Sequence, residues 1–226
     1  MTPDFDSDPE RFAANQAATS QFSAIADVHQ QVADRLAALG AGRVLDLGGG
    51  DGTLARLLIR HDTPTVVLDR AAYVRHAPPP AIQADAARLP FIDGCCGAVA
   101  ALWMLYYVPE PSVVLAEAAR VLQTGGVFVT CTSSRYNDPE FAEVMPGWGE
   151  PFSFDAESAV DVVAQQFSIT EVRRWDTAVV RLPDVAAVRL FLRGRGLSKT
   201  AAASEAARRR CPLSVTKRGC LSWARK

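Results

Sequence analysis

Residues 43–53 read Arg-Val-Leu-Asp-Leu-Gly-Gly-Gly-Asp-Gly-Thr, and this stretch decides the fold. Arg43 to Leu47 is a short apolar strand, Gly48 to Gly52 a glycine loop, and Thr53 to Arg60 a helix with Leu54, Leu57 and Leu58 on its inner side. Strand, loop and helix in that order open a parallel α/β sheet, whose ligands bind beyond the carboxyl ends of the strands. The loop fits D-x-G-x-G-x-G from Asp46 and fails G-x-G-x-x-G, because Thr stands at position 53. The difference is physical. A dinucleotide sets its pyrophosphate at the loop and helix N-terminus, where the carboxylates of Asp46 and Asp51 would repel it. A cationic ligand suits those acids, and Gly48, Gly49 and Gly50 let the backbone approach it closely.

Upstream, apolar positions 25, 28, 32, 36 and 39 keep a helical period, and Gly40 follows where a left-handed cap is wanted. Downstream, apolar strands are predicted at Thr65–Asp69, Ala81–Asp85 after the break at Pro78–Pro80, Ala98–Leu102, and Val127–Thr132 after a helix over Pro111–Leu122 closed by Gly125-Gly126. The stretch 133–152, rich in Asn, Pro, Gly, Tyr and Trp, is long for a connection and is a candidate acceptor loop. A helix over Asp155–Phe167 and strands over Ser168–Thr177 and Leu213–Ala224 complete the pattern, with helices at Asp184–Arg193 and Ser198–Arg210 between the two strands. The expectation is a three-layer α/β sandwich around a doubly wound, mostly parallel seven-stranded sheet. Residues 1–40 are expected to form an N-terminal helical lid and residues 41–226 the binding domain, with a helical insertion at 183–211.

The chain has 226 residues, 49% of them hydrophobic and 22% charged, with a formal net charge of -1, as expected of one globular domain. That charge argues against a general polyanion binder, although residues 193–226 hold ten Arg and Lys against one acid, Glu205. The longest uncharged apolar run, Ala98–Val108, has eleven residues, short of the roughly 18 that cross a bilayer. No membrane span is expected. The acidic N-terminus lacks the positive start and apolar stretch of a secretory signal, so a cytoplasmic location is expected. The five cysteines, at 95, 96, 131, 211 and 220, form no zinc-like CxxC pair and are expected to be reduced.

From about Gly40 to Thr132 the glycine loop and the segments that follow it resemble the class I S-adenosylmethionine-dependent methyltransferases. The resemblance implies S-adenosyl-L-methionine as cofactor, whose sulfonium and ammonium suit Asp46 and the glycine loop. It implies that Asp69 takes both ribose hydroxyls, that Arg70 lies against the adenine, and that Asp85 and the backbone N–H of Ala86 meet the adenine edge. The chemistry agrees, since an ionised carboxylate accepting from a diol or an exocyclic amine makes charge-assisted bonds of about 1.5–3 kcal/mol each. Leu102 and Trp103, at the end of the fourth strand, are expected to supply a backbone carbonyl and an apolar wall to the methionine end. The chain departs from the family where Cys96-Gly97 replaces Phe-Asp at the entry to that strand and where Tyr107 stands in place of a histidine.

Losing that histidine removes the commonest candidate for a base near the methyl. An acceptor already nucleophilic, such as an amine or a stabilised carbanion, is therefore favoured, or deprotonation by Tyr107, Tyr136 or an acid such as Glu140. Tyr106 and Tyr107 are adjacent, so on a helix at most one is expected to face the pocket. No metal site is expected, because the acid cluster of metal-dependent catechol methyltransferases is missing. The leading expectation is methylation of a small molecule by a monomer or homodimer, and the resemblance implies a setting in bacterial specialised metabolism. Nucleic acid is the less favoured partner. The alternatives are an RNA or protein methyltransferase using Arg208–Arg210, and a cofactor-binding protein that does not methylate.

Overall fold

In a computed structural model, residues 8–23 and 28–226 are described. The first positions of the helix expected upstream of the loop, 25–27, lie outside them; within the described residues that helix is α2 (Val28–Ala38), and a preceding helix, α1, covers Pro9–Phe22. Asp8 caps α1, its side chain accepting from Arg11 N.

The seven strands are β1 (Val44–Leu47), β2 (Thr65–Asp69), β3 (Ala81–Gln83), β4 (Cys96–Leu102), β5 (Leu122–Ser133), β6 (Ser168–Leu182) and β7 (Leu213–Arg225). They form one sheet in the order β3-β2-β1-β4-β5-β7-β6. β1 through β5 pair in parallel and β7 runs antiparallel to β5, so the sheet is mostly parallel, as expected from the sequence. Strand order reverses at β1, between β2 and β4, which is the switch point where such sheets bind ligands. α3 (Thr53–Arg60) follows β1 and buries Leu54, Ala55 and Leu58; α4 (Pro111–Val121) follows β4 and buries Val114, Leu115, Ala118 and Val121. All seven residues of β4 are buried, as a strand covered on both faces requires.

Two elements depart from expectation. β5 begins at Leu122 rather than Val127: Leu122 pairs with Cys96, and the register then shifts so that Val127 meets Ala98. The helix expected over 155–167 contracts to α5 (Ala159–Ala164). Asp155 instead accepts from Ser158 N at 3.0 Å and Ser158 Oγ at 2.9 Å, which makes a turn of the first residues. Phe167, beyond α5, stacks on Phe128 with ring centroids 4.6 Å apart.

The chain divides into two compact units. Of the described residues, the sheet unit holds 28–134, 151–174 and 219–226, so α2 groups with the sheet, whereas the expectation placed it with the first 40 residues. Of the described residues, the second unit holds 8–23, 135–150 and 175–218. It contains α1, α6 (Val185–Gly194) and α7 (Lys199–Ala206). Its own core is built on Ala18, Phe141, Leu182, Val188, Phe191 and Val215. Among the described residues no helix is long and apolar enough to cross a membrane.

Candidate active site

The glycine loop sits at the switch point, and its amides are already engaged. Gly48 N and Gly49 N donate to Leu68 O at 2.7 and 3.2 Å, and Gly50 N donates to Asp69 Oδ2 at 2.8 Å. These are the N–H groups that a phosphate cradle would turn outward, so the loop is built for something other than a pyrophosphate. Gly49 is required by proximity: a Cβ there would sit 2.5 Å from the Asp46 carboxyl carbon. At Gly48, with φ +67°, a Cβ would lie 2.6 Å from Met104 Cγ, so Met104 covers the first glycine of the loop. Sequence reasoning missed that contact, since nothing local couples positions 48 and 104.

Asp46 is 2% exposed within β1, and its Oδ2 is buried with no hydrogen-bond partner. Burial pushes its carboxyl up to about 7; His29 opposes that shift, while Asp69 and Asp51 add to it. A buried acceptor left over in this way marks a place where a donor from outside the chain fits. An ammonium group is such a donor. Asp51 is more open and pairs loosely with Arg56 at 3.7 Å.

Asp69, at the end of β2, accepts from Gly50 N through Oδ2 and from Ala71 N through Oδ1, both at 2.8 Å. One carboxylate thus ties the glycine loop to the turn after β2. Arg70 is exposed beside it and its carbonyl accepts from Gln83 Nε2 at 3.0 Å. Asp85 is exposed just past β3 and accepts from Ala87 N at 2.9 Å, while Ala86 is buried. The structure therefore brings the ends of β1, β2 and β3, with Asp46, Asp69 and Asp85, to one edge of the sheet.

β4 ends at Leu102, and Trp103 follows with φ +59°, a left-handed conformation that is costly for a bulky residue. Its N–H donates to Cys131 O at 2.9 Å, which fixes the kink. Tyr106 and Tyr107 lie on a 3-10 turn, Leu105–Tyr107, and not on an α-helix. Their rings are in contact, with centroids 4.5 Å apart.

In the second unit, Tyr136 is 43% exposed and meets Trp148 edge-on at 5.5 Å, while Trp148 Nε1 donates to Asn137 O at 2.8 Å. Glu140, considered as a base, has both oxygens on Thr216: each accepts from its N–H at 3.0 Å, and Oε1 also takes the hydroxyl at 2.6 Å. It is a structural anchor. Of the basic run 208–210, Arg209 is held by Glu205 and by Glu140 O, and it lies over the Phe141 ring. His61 pairs with Asp34 at 2.8 Å on the surface, and His76 is exposed. Among the described residues no group of three or more His, Cys, Asp or Glu is placed to hold a metal ion.

A family model described as a methyltransferase domain matches residues 45–130. A malonyl-[acyl-carrier protein] O-methyltransferase of Herminiimonas arsenicoxydans is 32% identical over 223 residues, covering 89% of this chain and 82% of that protein. A ubiquinone/menaquinone biosynthesis C-methyltransferase of Paraburkholderia phytofirmans is 29% identical over 141 residues, covering 51% of this chain and 56% of that one. Among solved structures, the [4+2]-cyclase SpnF superposes with a TM-score of 0.63 at 17% identity, covering 100% of this chain and 97% of that one. At that identity the likeness is one of fold.

Proposed function

Since the chain belongs to the class I S-adenosylmethionine-dependent methyltransferases, we propose that it methylates a small-molecule acceptor already nucleophilic at neutral pH, a carboxylate oxygen first among such groups. The observation that carries this reading is the make-up of the β4 end. Trp103, Met104, Tyr106 and Tyr107 follow it with apolar and aromatic side chains, and among these residues none is a ready base near pH 7. An acceptor carboxylate needs no such base, and the O-methyltransferase relative, similar over most of its length, supports this choice over a quinol carbon.

When bound, the cofactor supplies an electrophilic methyl: the acceptor oxygen's electron pair forms the new O–C bond while the S–C pair stays on sulfur as a neutral thioether. The chain's task is to position and to desolvate. In this reading Asp69 accepts from the ribose diol, Asp85 and Ala86 N–H meet the adenine, and Arg70 lies against it. The Asp46 carboxylate faces the cationic amino-acid end over Gly48, Gly49 and Gly50. Leu102 and Trp103 wall the methionine portion and keep water away. Tyr107 and Tyr136 are the candidates for donating a hydrogen bond to the acceptor.

The test is transfer of a labelled methyl from S-adenosylmethionine to a malonyl thioester, an aromatic amine and a quinol. The expected product is a base-labile methyl ester, with a turnover number nearly flat from about pH 6 to about pH 9, because the acceptor is ionised throughout. Transfer to the amine or quinol with none to any carboxylate would overturn the proposal.

A further inference from the structure

The segment that leaves β3 carries Asp85 and Ala86 and then runs through residues 87–94 to β4. Its first point is fixed by the sheet, where Ala84 N donates to Asp69 O at 3.0 Å. Its remainder is held by the last turn of α4, through the side chains of Arg120 and Glu117 and the Arg120 carbonyl. Arg120 Nη2 donates to Leu89 O at 3.1 Å, and Nη1 donates to Phe91 O at 2.7 Å and to Asp93 Oδ1 at 2.8 Å. The guanidinium is set in the plane this requires by Glu117, which takes Nε at 2.7 Å and Nη2 at 2.8 Å. Glu117 Oε2 also accepts from Leu89 N at 2.7 Å, and the Arg120 carbonyl accepts from Gly94 N at 3.0 Å. Leu89 and Ala86 are buried in the sheet unit's core, while Ile92, beyond the clamp, is 79% exposed.

A planar fork that bridges two carbonyls and two carboxylates constrains loop shape, because its rigidly spaced donors meet all four acceptors together only for a narrow range of loop paths. We propose that Arg120, oriented by Glu117, is a positioning residue for adenine recognition, holding residues 89–93 so that Asp85 and Ala86 N–H, just before them in the chain, present one edge to the base. The inference rests on the reading of Asp85 and Ala86 given above. It adds that cofactor selectivity depends on a guanidinium in α4 that need not touch the cofactor.

The experiment measures, by calorimetry, the affinities of S-adenosylhomocysteine and its 6-deamino analogue, in which purine replaces adenine, so that the 6-amino donor is lost while the ring nitrogens remain acceptors. Wild type is expected to prefer the adenosine form by about tenfold, the value of one charge-assisted hydrogen bond. Asp85→Ala is expected to abolish the preference. Arg120→Ala is expected to do the same, through a loss of about tenfold for the adenosine ligand and less than twofold for the purine ligand. Arg120→Lys keeps the charge but lacks the fork, and an intermediate preference there supports the proposal even if Arg120→Ala does not fold. A general loosening of the fold would weaken both ligands alike, and that result overturns the proposal. A preference lost in Asp85→Ala but intact in the Arg120 variants overturns it while leaving the adenine reading in place. A preference intact in Asp85→Ala overturns the adenine reading and the proposal together.

Discussion

Replacing Asp46 by Asn separates what the buried carboxylate does for the cofactor from what it does to the fold. Its ordinary pKa is 3.8, and burial pushes it up to about 7. A group whose folded pKa is raised contributes stability that is complete below the unfolded value and is lost as pH rises through the folded one. Three units at 1.36 kcal/mol each amount to roughly 4 kcal/mol that the cofactor-free protein loses through this one group between about pH 4 and about pH 7. The charged groups bearing on Asp46 are His29, which opposes the shift, and Asp69 and Asp51, which enlarge it. Asn has no proton to lose, so the stability of Asp46→Asn relative to wild type should climb by up to about 1.4 kcal/mol per pH unit and level off above about pH 7. Urea unfolding at a series of pH values, without cofactor, reads this directly. Cofactor affinity should move the other way: the variant binds S-adenosylhomocysteine more weakly, and wild-type affinity rises with pH toward about 7 as the carboxylate ionises. A stability difference that is the same at about pH 5 and about pH 8 would refute the argument.

Asp69→Ala should weaken cofactor binding by about 1.5–3 kcal/mol, or roughly ten- to a hundredfold by calorimetry, since it removes the charged acceptor and also releases Gly50 N and Ala71 N. Asp138 is 1% exposed and bonded to Arg195 Nε at 2.7 Å and Lys217 Nζ at 2.6 Å. Asp138→Ala leaves those two cations without their carboxylate, and denaturant unfolding should register a loss of about 3–5 kcal/mol, with cofactor affinity unchanged. Trp148→Ala should raise the KM for the acceptor several-fold without altering cofactor affinity, as expected for the removal of an apolar wall. Unchanged KM and turnover in both Trp148→Ala and Tyr136→Phe would remove the 133–152 loop from acceptor binding and leave Tyr107 as the leading contact.

The parallel half of the sheet is legible from sequence because its signals are local. Apolar runs such as Val44–Leu47 and Thr65–Asp69 end where glycines or acids begin, and that boundary needs no knowledge of distant residues. The glycine loop is legible for the same reason, since the choice between anionic and cationic ligands follows from Asp46 and Asp51 themselves. Legibility fails where partners are remote. The Asp138–Arg195–Lys217 cluster joins residues 57 and 79 positions apart, and Arg120 reaches back 27 to 31 positions to Asp93, Phe91 and Leu89. Each reads in sequence as an ordinary surface charge. The helix over 155–167 is overextended because Asp155 and Ser158, neutral in a periodicity count, use their side chains on the backbone of a turn.

The position of β7 constrains the order in which the molecule can be made. β7 lies between β5 and β6 in the sheet, yet it follows β6 in the chain, and Val127 of β5 pairs with Arg225. During vectorial synthesis β6 emerges before the strand that must separate it from β5, so for the time taken to make some 40 residues the growing sheet offers β6 an adjacent, wrong edge. The native arrangement becomes available only when residues 219–225 arrive, and a nascent chain halted before them would present β5 as an open edge to its neighbours on the same message.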